Sequence, residues 1–67
     1  MIDHLTPIRS IKLSEPAQRA LAEANIFTLE DVAHWSIHEL LSLHGVGPKT
    51  IRVLTPILES LGLSFKT

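Results

Sequence analysis

The chain has 67 residues, a net charge of −1 and no cysteine. These numbers exclude a disulfide framework and a thiolate zinc site, and a chain this short forms one domain. No apolar run approaches the ~20 residues of a membrane span, and the start carries acid and proline where a secretory signal would be basic and then apolar. We therefore expect a cytoplasmic domain held together by apolar packing, since 45% of its residues are hydrophobic.

Residues 1–12 are predicted to be an N-terminal arm, and residues 13–67 the helical domain itself. Pro7 breaks any early helix, so we expect at most a short helical turn in the arm. Ile8, Ile11 and Leu13 are expected to hold the arm against the core.

The stretch LSEPAQRALAEAN, residues 13–25, predicts the first helix. Ser14 is a good N-cap, Pro16 is tolerated in the first turn, and Asn25 is a suitable C-terminal cap. An apolar stripe at helical spacing is expected to face the core and consists of Ala17, Ala20, Leu21 and Ala24.

Two short helices are predicted next, each beginning at a capping box. Thr28 and Asp31 start the second helix, which is expected to end near Trp35. Ser36 and Glu39 start the third helix. Its apolar stripe, expected to be buried, consists of Ile37, Leu40, Leu41 and Leu43.

The last helix is predicted to begin at Pro48 and to end at Gly62. Pro56 lies inside it, removes one backbone hydrogen bond and is expected to kink it near Arg52 and Thr55. Residues 63–65 are expected to fold back onto the core, and no strand pattern competes with the helices. The apolar stripe of this helix consists of Ile51, Leu54, Ile57, Leu58 and Leu61.

The stretch LHGVGPKTIRVL, residues 43–54, joins the last two helices through a tight turn. We expect Gly45 and Gly47 to adopt backbone angles that favour glycine and to let an anion approach the backbone, while Val46 points inward. The first amides of the next helix lack internal partners, and Lys49 and Thr50 can add a charge and a hydroxyl. This combination is typical of a phosphate site at a helix start. The alternative is a turn that serves helix packing alone.

The spacing LxxLxGVGxK over residues 40–49 resembles the helix-hairpin-helix motif found in many DNA repair and recombination proteins. The resemblance implies that the hairpin grips the backbone of DNA along the edge of the minor groove.

Residues 7–65 resemble the C-terminal DNA-binding domain of the bacterial RNA polymerase alpha subunit, and small stand-alone bacterial proteins that borrow this domain. This resemblance implies an all-α, SAM-like bundle of four to five short helices with an N-terminal arm. The family's hairpin lysine and serine fall on Lys49 and Thr50, and a family asparagine falls on Arg19. The arginine that enters the minor groove falls on Pro16, so recognition of a promoter element is not implied. The shared frame includes Leu13, Ser14, Ala17, Leu21, Ala24, Ile26, Thr28, Leu29, Leu40, Leu41, Gly47, Lys49, Thr50, Leu61, Gly62 and Leu63.

Together these features predict a DNA-binding module that contacts the phosphate backbone with little dependence on sequence and serves transcription. RNA polymerase or a regulator is a further expected partner. The alternative is a protein-interaction module that keeps the fold without DNA contacts. A basic rim around residues 45–52 would favour DNA, and an exposed apolar patch would favour a protein. The predicted DNA-binding residues are Gly45, Val46, Gly47, Lys49, Thr50, Arg52 and Arg19.

No enzyme activity, cofactor or metal site is expected. In bifunctional DNA glycosylases with this hairpin, the lysine at the position of Lys49 attacks the sugar, but those enzymes also need a later aspartate and a base pocket. Only Glu59 follows the hairpin as an acid. The histidines are interpreted as exposed or partly packed, because a helix cap separates the first two and no further ligand follows. These three of the four histidines are His34, His38 and His44.

Overall fold

Four α-helices and one 3₁₀ turn make up the fold, and no strand is present. The computed structural model describes all residues, 1–67. The predicted all-α bundle with an N-terminal arm is confirmed. None of the helices is both long and apolar enough to cross a lipid bilayer. The elements are the 3₁₀ turn Ile8–Ser10, α1 Glu15–Glu23, α2 Leu29–Ala33, α3 Ile37–Leu41 and α4 Pro48–Ser60.

The predicted caps at the starts of the first three helices are confirmed. The Ser14 hydroxyl accepts a hydrogen bond from an amide of α1. Thr28 and Asp31 form a complete capping box at α2, and Ser36 and Glu39 form another at α3. Each box satisfies amides that a helix start leaves without internal partners.

Two helices end in the same way, with one residue in the left-handed conformation. Asn25 follows α1 with φ 62° and Gly62 follows α4 with φ 74°. The next amide then reaches back across the end of each helix: Ile26 donates to the Leu21 carbonyl, at 2.9 Å. This is the Schellman motif, and it fixes where the chain leaves the helix.

A single apolar core draws residues from the arm, the hairpin and every α-helix. Because the chain is short, each helix contributes only one or two fully buried side chains, and the connections supply the rest. The eleven buried core residues are Ile8, Ile11, Ala20, Leu21, Ile26, Leu29, Val32, Leu40, Val46, Leu54 and Leu58.

The N-terminal arm is an integral part of this core. Ile8 and Ile11 are 2% and 7% exposed, as the sequence predicted. Backbone hydrogen bonds also join the arm to the start of α2: the Ile8 amide donates to the Phe27 carbonyl at 2.8 Å, and the Leu29 amide donates to the Thr6 carbonyl at 3.2 Å. The arm is therefore held by side-chain packing and by backbone pairing together.

The predicted apolar stripe of α3 is wrong at two positions. Ile37 and Leu41 are each 41% exposed, while Leu40 is fully buried and Leu43 is half-buried. A helix of only five residues turns a single row of side chains to the core. Residues 37 and 41 are one turn apart on a neighbouring face, so they share their exposure.

The helix α4 continues through Pro56 and runs unbroken to Ser60. Pro56 is exposed, and the preceding Thr55 hydroxyl donates to the Ile51 carbonyl at 2.7 Å. The segment after α4 folds back as predicted, since Phe65 is half-buried against the core.

Candidate nucleic-acid interface

The hairpin between α3 and α4 is fixed to the core by its central residue. Val46 is 7% exposed and belongs to the apolar core, as predicted. Its amide donates to the Leu43 carbonyl at 3.1 Å, which closes the turn. The glycines on either side of Val46 are consequently held at the surface with defined backbone angles.

The first glycine, Gly45, has φ 103° and lies against α1. A Cβ built on it would lie 2.6 Å from the carbonyl oxygen of Pro16 and 3.5 Å from the Cβ of Ala20. The missing side chain therefore makes room for α1, not for an incoming anion. The expected glycine-favouring backbone angle is confirmed at Gly45, and only the expectation that its missing side chain admits an anion is corrected.

The second glycine, Gly47, does not use the freedom of glycine. Its φ of −124° and ψ of −179° are extended backbone that any residue adopts, so the expectation of a positive φ is wrong. A Cβ here would meet no atom within 4 Å. The absence of a side chain at Gly47 leaves open space beside the start of α4.

Backbone amides without acceptors cluster in this turn. The amides of Gly45, Gly47 and Lys49 donate to no backbone carbonyl, whereas the Thr50 amide donates to the Gly47 carbonyl at 3.0 Å. Pro48, at the first position of α4, has no amide hydrogen. The aligned peptide dipoles add partial positive charge at this helix start. The turn can therefore donate hydrogen bonds to an anion from its backbone alone.

Two cations lie on the exposed side of the same helix start. Lys49 and Arg52 are exposed, and neither lies within 4.0 Å of a carboxylate. Their separation of three residues places them as neighbours on the helix surface. Both charges are consequently available to an anionic partner.

Arg19 lies near the hairpin but in a different electrostatic setting. It pairs with Glu15 at 3.6 Å, and both side chains are largely exposed. The cleft between α1 and the hairpin is lined by these two residues together with Glu23, His44 and Gly45. This cleft carries two carboxylates against one guanidinium, so the basic surface lies on the α4 side of the turn.

The acidic neighbours of Arg19 were missed in the sequence interpretation. Glu15 and Glu23 stand four residues before and after Arg19. That spacing places all three on one face of α1 and was visible in the sequence.

Thr50, the last of the predicted contact residues, is buried. Only 6% of it is exposed, and it is the one polar residue among the buried positions. A phosphate at this turn would meet the amides and Lys49 on the surface, while Thr50 lies on the inner side of α4.

Comparison with known proteins gives a weak similarity. No protein-family model matches the chain. Over 62 residues it is 31% identical to the DNA-directed RNA polymerase subunit alpha of Spirogyra maxima. The alignment covers 91% of this chain and 18% of that subunit, so the chain spans less than a fifth of its relative. The chain is thus weakly similar to one part of an RNA polymerase alpha subunit.

Proposed function

We propose that this domain binds DNA at the turn of residues 45–52 by contacting the phosphate backbone. The observation that carries this proposal is the coincidence of unpartnered backbone amides with two unpaired cations at one exposed helix start. The amides belong to Gly45, Gly47 and Lys49, and the cations are Lys49 and Arg52. Helix starts with free amides bind phosphate well, and lysine and arginine add the charge attraction that dominates affinity for DNA.

Binding of this kind depends little on base sequence. Contacts to phosphate position a protein on the duplex but do not read its bases. The first turn of α1 presents Pro16, which has no side chain that can donate to a base edge. Arg19, one turn later, is paired with Glu15 at 3.6 Å. Neither of these two positions on α1 therefore offers a free group that could discriminate bases.

The affinity is expected to be low. The net charge of the chain is −1, and the acidic cleft beside the hairpin repels a second phosphate strand. Weak binding suits a module that acts as part of a larger assembly, where linked contacts raise the overall affinity. The similarity to a part of an RNA polymerase alpha subunit supports a role in transcription, with RNA polymerase or a regulator as the protein partner.

An NMR titration tests the proposal directly. The ¹⁵N-labelled chain is titrated at low ionic strength with a short duplex, and then with a second duplex of unrelated sequence. We expect both duplexes to shift the amide signals of Gly45, Gly47 and Lys49. The signals of Ile37 and Leu41 serve as the internal reference and should stay in place. Absence of shifts in the turn would refute the DNA-binding proposal.

The second candidate is a protein-interaction module, and the surface of α3 favours it. Ile37 and Leu41 are each 41% exposed and stand one helical turn apart, which places two large apolar side chains side by side. Exposed neighbouring apolar residues mark protein contacts when they form a continuous patch. If added RNA polymerase shifts Ile37 and Leu41 while DNA shifts nothing, this second function replaces the first.

A further inference from the structure

A second surface feature, a groove between the arm and α1, lies apart from the hairpin. Its volume is about 880 Å³, and it is open to solvent along one side; this volume is within the range of sites that hold small ligands or a few side chains. Its floor is formed by the buried Ile8, Ile11 and Ile26. Ala22 and Phe27 stand at its walls, and Phe27 is 55% exposed. We call this feature the arm groove.

Hydrogen bonds across the floor hold the arm groove open in a fixed shape. The Gln18 side-chain amide donates to the Ile8 carbonyl at 3.0 Å and to the Ile11 carbonyl at 2.7 Å. On the other side, the Ile8 amide donates to the Phe27 carbonyl at 2.8 Å. The arm is thereby joined both to α1 and to the segment before α2. A preformed site of this kind loses little conformational entropy on binding.

The rim of the arm groove carries an excess of positive charge. Its charged lining residues are Arg9, Arg19 and Glu15. Glu15 pairs with Arg19, which leaves Arg9 without a carboxylate within 4.0 Å. Lys12 is exposed on the same stretch of the arm and is also unpaired. The rim is therefore basic although the whole chain carries a net charge of −1.

We propose that the arm groove docks a short protein segment whose bulky apolar side chains are flanked by aspartate or glutamate. The apolar floor and Phe27 would cover the apolar side chains of the partner, and Arg9 would pair with its carboxylates. A basic segment meets repulsion at the same rim, so charge selects the partner. A nucleic acid could pair with Arg9 but would leave the apolar wall at Phe27 without a matching surface.

The arm groove and the proposed DNA site use different residues, so each proposal can fail alone. None of the lining residues belongs to the turn of residues 45–52. Of the predicted DNA-binding residues, only Arg19 borders the groove, and it is occupied by Glu15.

The test uses two synthetic peptides of equal length with the same leucines at helical spacing. One carries glutamate between the leucines, and the other carries lysine. Each is titrated into the ¹⁵N-labelled full chain. We expect the acidic peptide to shift the side-chain amide of Gln18 and the backbone amides of Ala22 and Phe27, and to bind about tenfold more tightly than the basic peptide. Equal binding of the two peptides would overturn the proposal.

Substitutions separate the groove from other exposed apolar positions. Arg9→Glu and Phe27→Ala should each weaken binding of the acidic peptide about fivefold or more. Ile37→Ala is the matched control, because it removes an exposed apolar side chain outside the groove. Thermal melts of all three variants check that the fold is kept. An equal loss with Ile37→Ala places the peptide on α3 and overturns the proposal.

Two further outcomes assign the groove to a different occupant. Shifts at Gln18 and Phe27 on concentrating the protein alone would identify a second copy of this chain. Shifts at the same residues with duplex DNA, and none with the acidic peptide, would identify nucleic acid. Either result overturns the docking of an acidic protein segment.

Discussion

Gly45 lies directly against the backbone of Pro16: a Cβ on Gly45 would lie 2.6 Å from the carbonyl oxygen of Pro16. Pro16 belongs to the first turn of α1, and Gly45 belongs to the hairpin that leads into α4. The left-handed φ of 103° at Gly45 aims its missing side chain at that carbonyl. The hairpin and α1 are consequently positioned by one residue that has no side chain.

Gly45→Ala should destabilise the fold. Two effects combine, since a left-handed φ costs a residue with a Cβ about 1–2 kcal/mol and the new methyl group meets a backbone carbonyl that cannot rotate away. We expect the melting temperature to fall by roughly 10 °C for a domain of this size. The measurement is a thermal melt followed by circular dichroism.

Gly47→Ala is the matched control for that variant. Gly47 has an extended φ of −124°, and a Cβ there meets no atom within 4 Å. Alanine is a poorer N-cap than glycine by about 0.5 kcal/mol or somewhat more, so the melting temperature should fall by only a few degrees, clearly less than for Gly45→Ala. If Gly47→Ala is the more damaging change, our account of the turn is wrong.

The helix boundaries were predictable because they depend on neighbours in the chain. A capping box needs two residues three positions apart, and Thr28 with Asp31 meets that condition in the sequence. The same holds for Asn25 and Gly62, which end helices by adopting a left-handed conformation. Local chemistry of this kind needs no knowledge of what packs against the helix.

The features that escaped prediction depend on distant segments. Contact with Pro16 decides which glycine of the hairpin has no room for a side chain. Pro16 precedes Gly45 by 29 positions in the chain. The exposure of Ile37 likewise depends on how much of a short helix reaches the core. The turn and Lys49 predicted where in the chain the candidate site lies. The burial of Thr50 could not be predicted, because it depends on how α4 packs against the core.

Acid should weaken the fold through the capping carboxylate of Asp31. The amide of Phe27, more than that of Thr28, holds the pKa of Asp31 below its ordinary 3.8, against the opposing effect of burial. A pKa lowered by folding means that the ionised group stabilises the folded chain above the unfolded pKa. That contribution is complete well above pH 3.8 and is lost as the pH falls through that value to the lower folded pKa. Urea unfolding across the acidic range measures the loss.

Asp31→Asn should flatten this dependence on pH. Asparagine keeps an oxygen for the amides of Phe27 and Thr28 but has no charge to titrate. We expect the variant to lose about 1 kcal/mol at neutral pH, typical of a weakened cap. Its stability should then change less than that of the parent between neutral pH and pH 3. An unchanged pH profile would show that other groups control acid unfolding.

Pro56→Ala should stabilise the chain. Pro56 is exposed inside α4 and cannot donate to the carbonyl of Arg52, so alanine adds one helix hydrogen bond without disturbing the core. An interior proline costs about 3 kcal/mol in an isolated helix, and we expect part of this to be recovered as a higher melting temperature. Glu59→Ala, a second exposed position of α4, controls for the helix propensity of alanine. A lower melting temperature for Pro56→Ala would mean that the core requires the local geometry that proline imposes.

Binding to DNA should depend on salt in a way that identifies Lys49. The turn offers Lys49 and Arg52 as unpaired cations, with Arg19 partly neutralised by Glu15. Each neutralised phosphate releases counterions, so log K against log salt should have a slope of about −2 to −3. Lys49→Glu should flatten the slope by about one to two, because it removes a positive charge and adds a negative one. Its melt should barely change, since an exposed charge contributes little to stability.

Lys12→Glu tests whether DNA binding depends on where the positive charge is lost or only on the net charge of the chain. It changes the net charge of the chain by the same two units as Lys49→Glu, at an exposed site in the arm. Fluorescence anisotropy with a labelled duplex at several salt concentrations compares the two variants with the parent. We expect Lys12→Glu to keep a slope close to that of the parent, since Lys12 lies outside the turn of residues 45–52. If both variants flatten the slope equally, the attraction comes from the overall charge of the chain, and the helix start at Lys49 is not the contact.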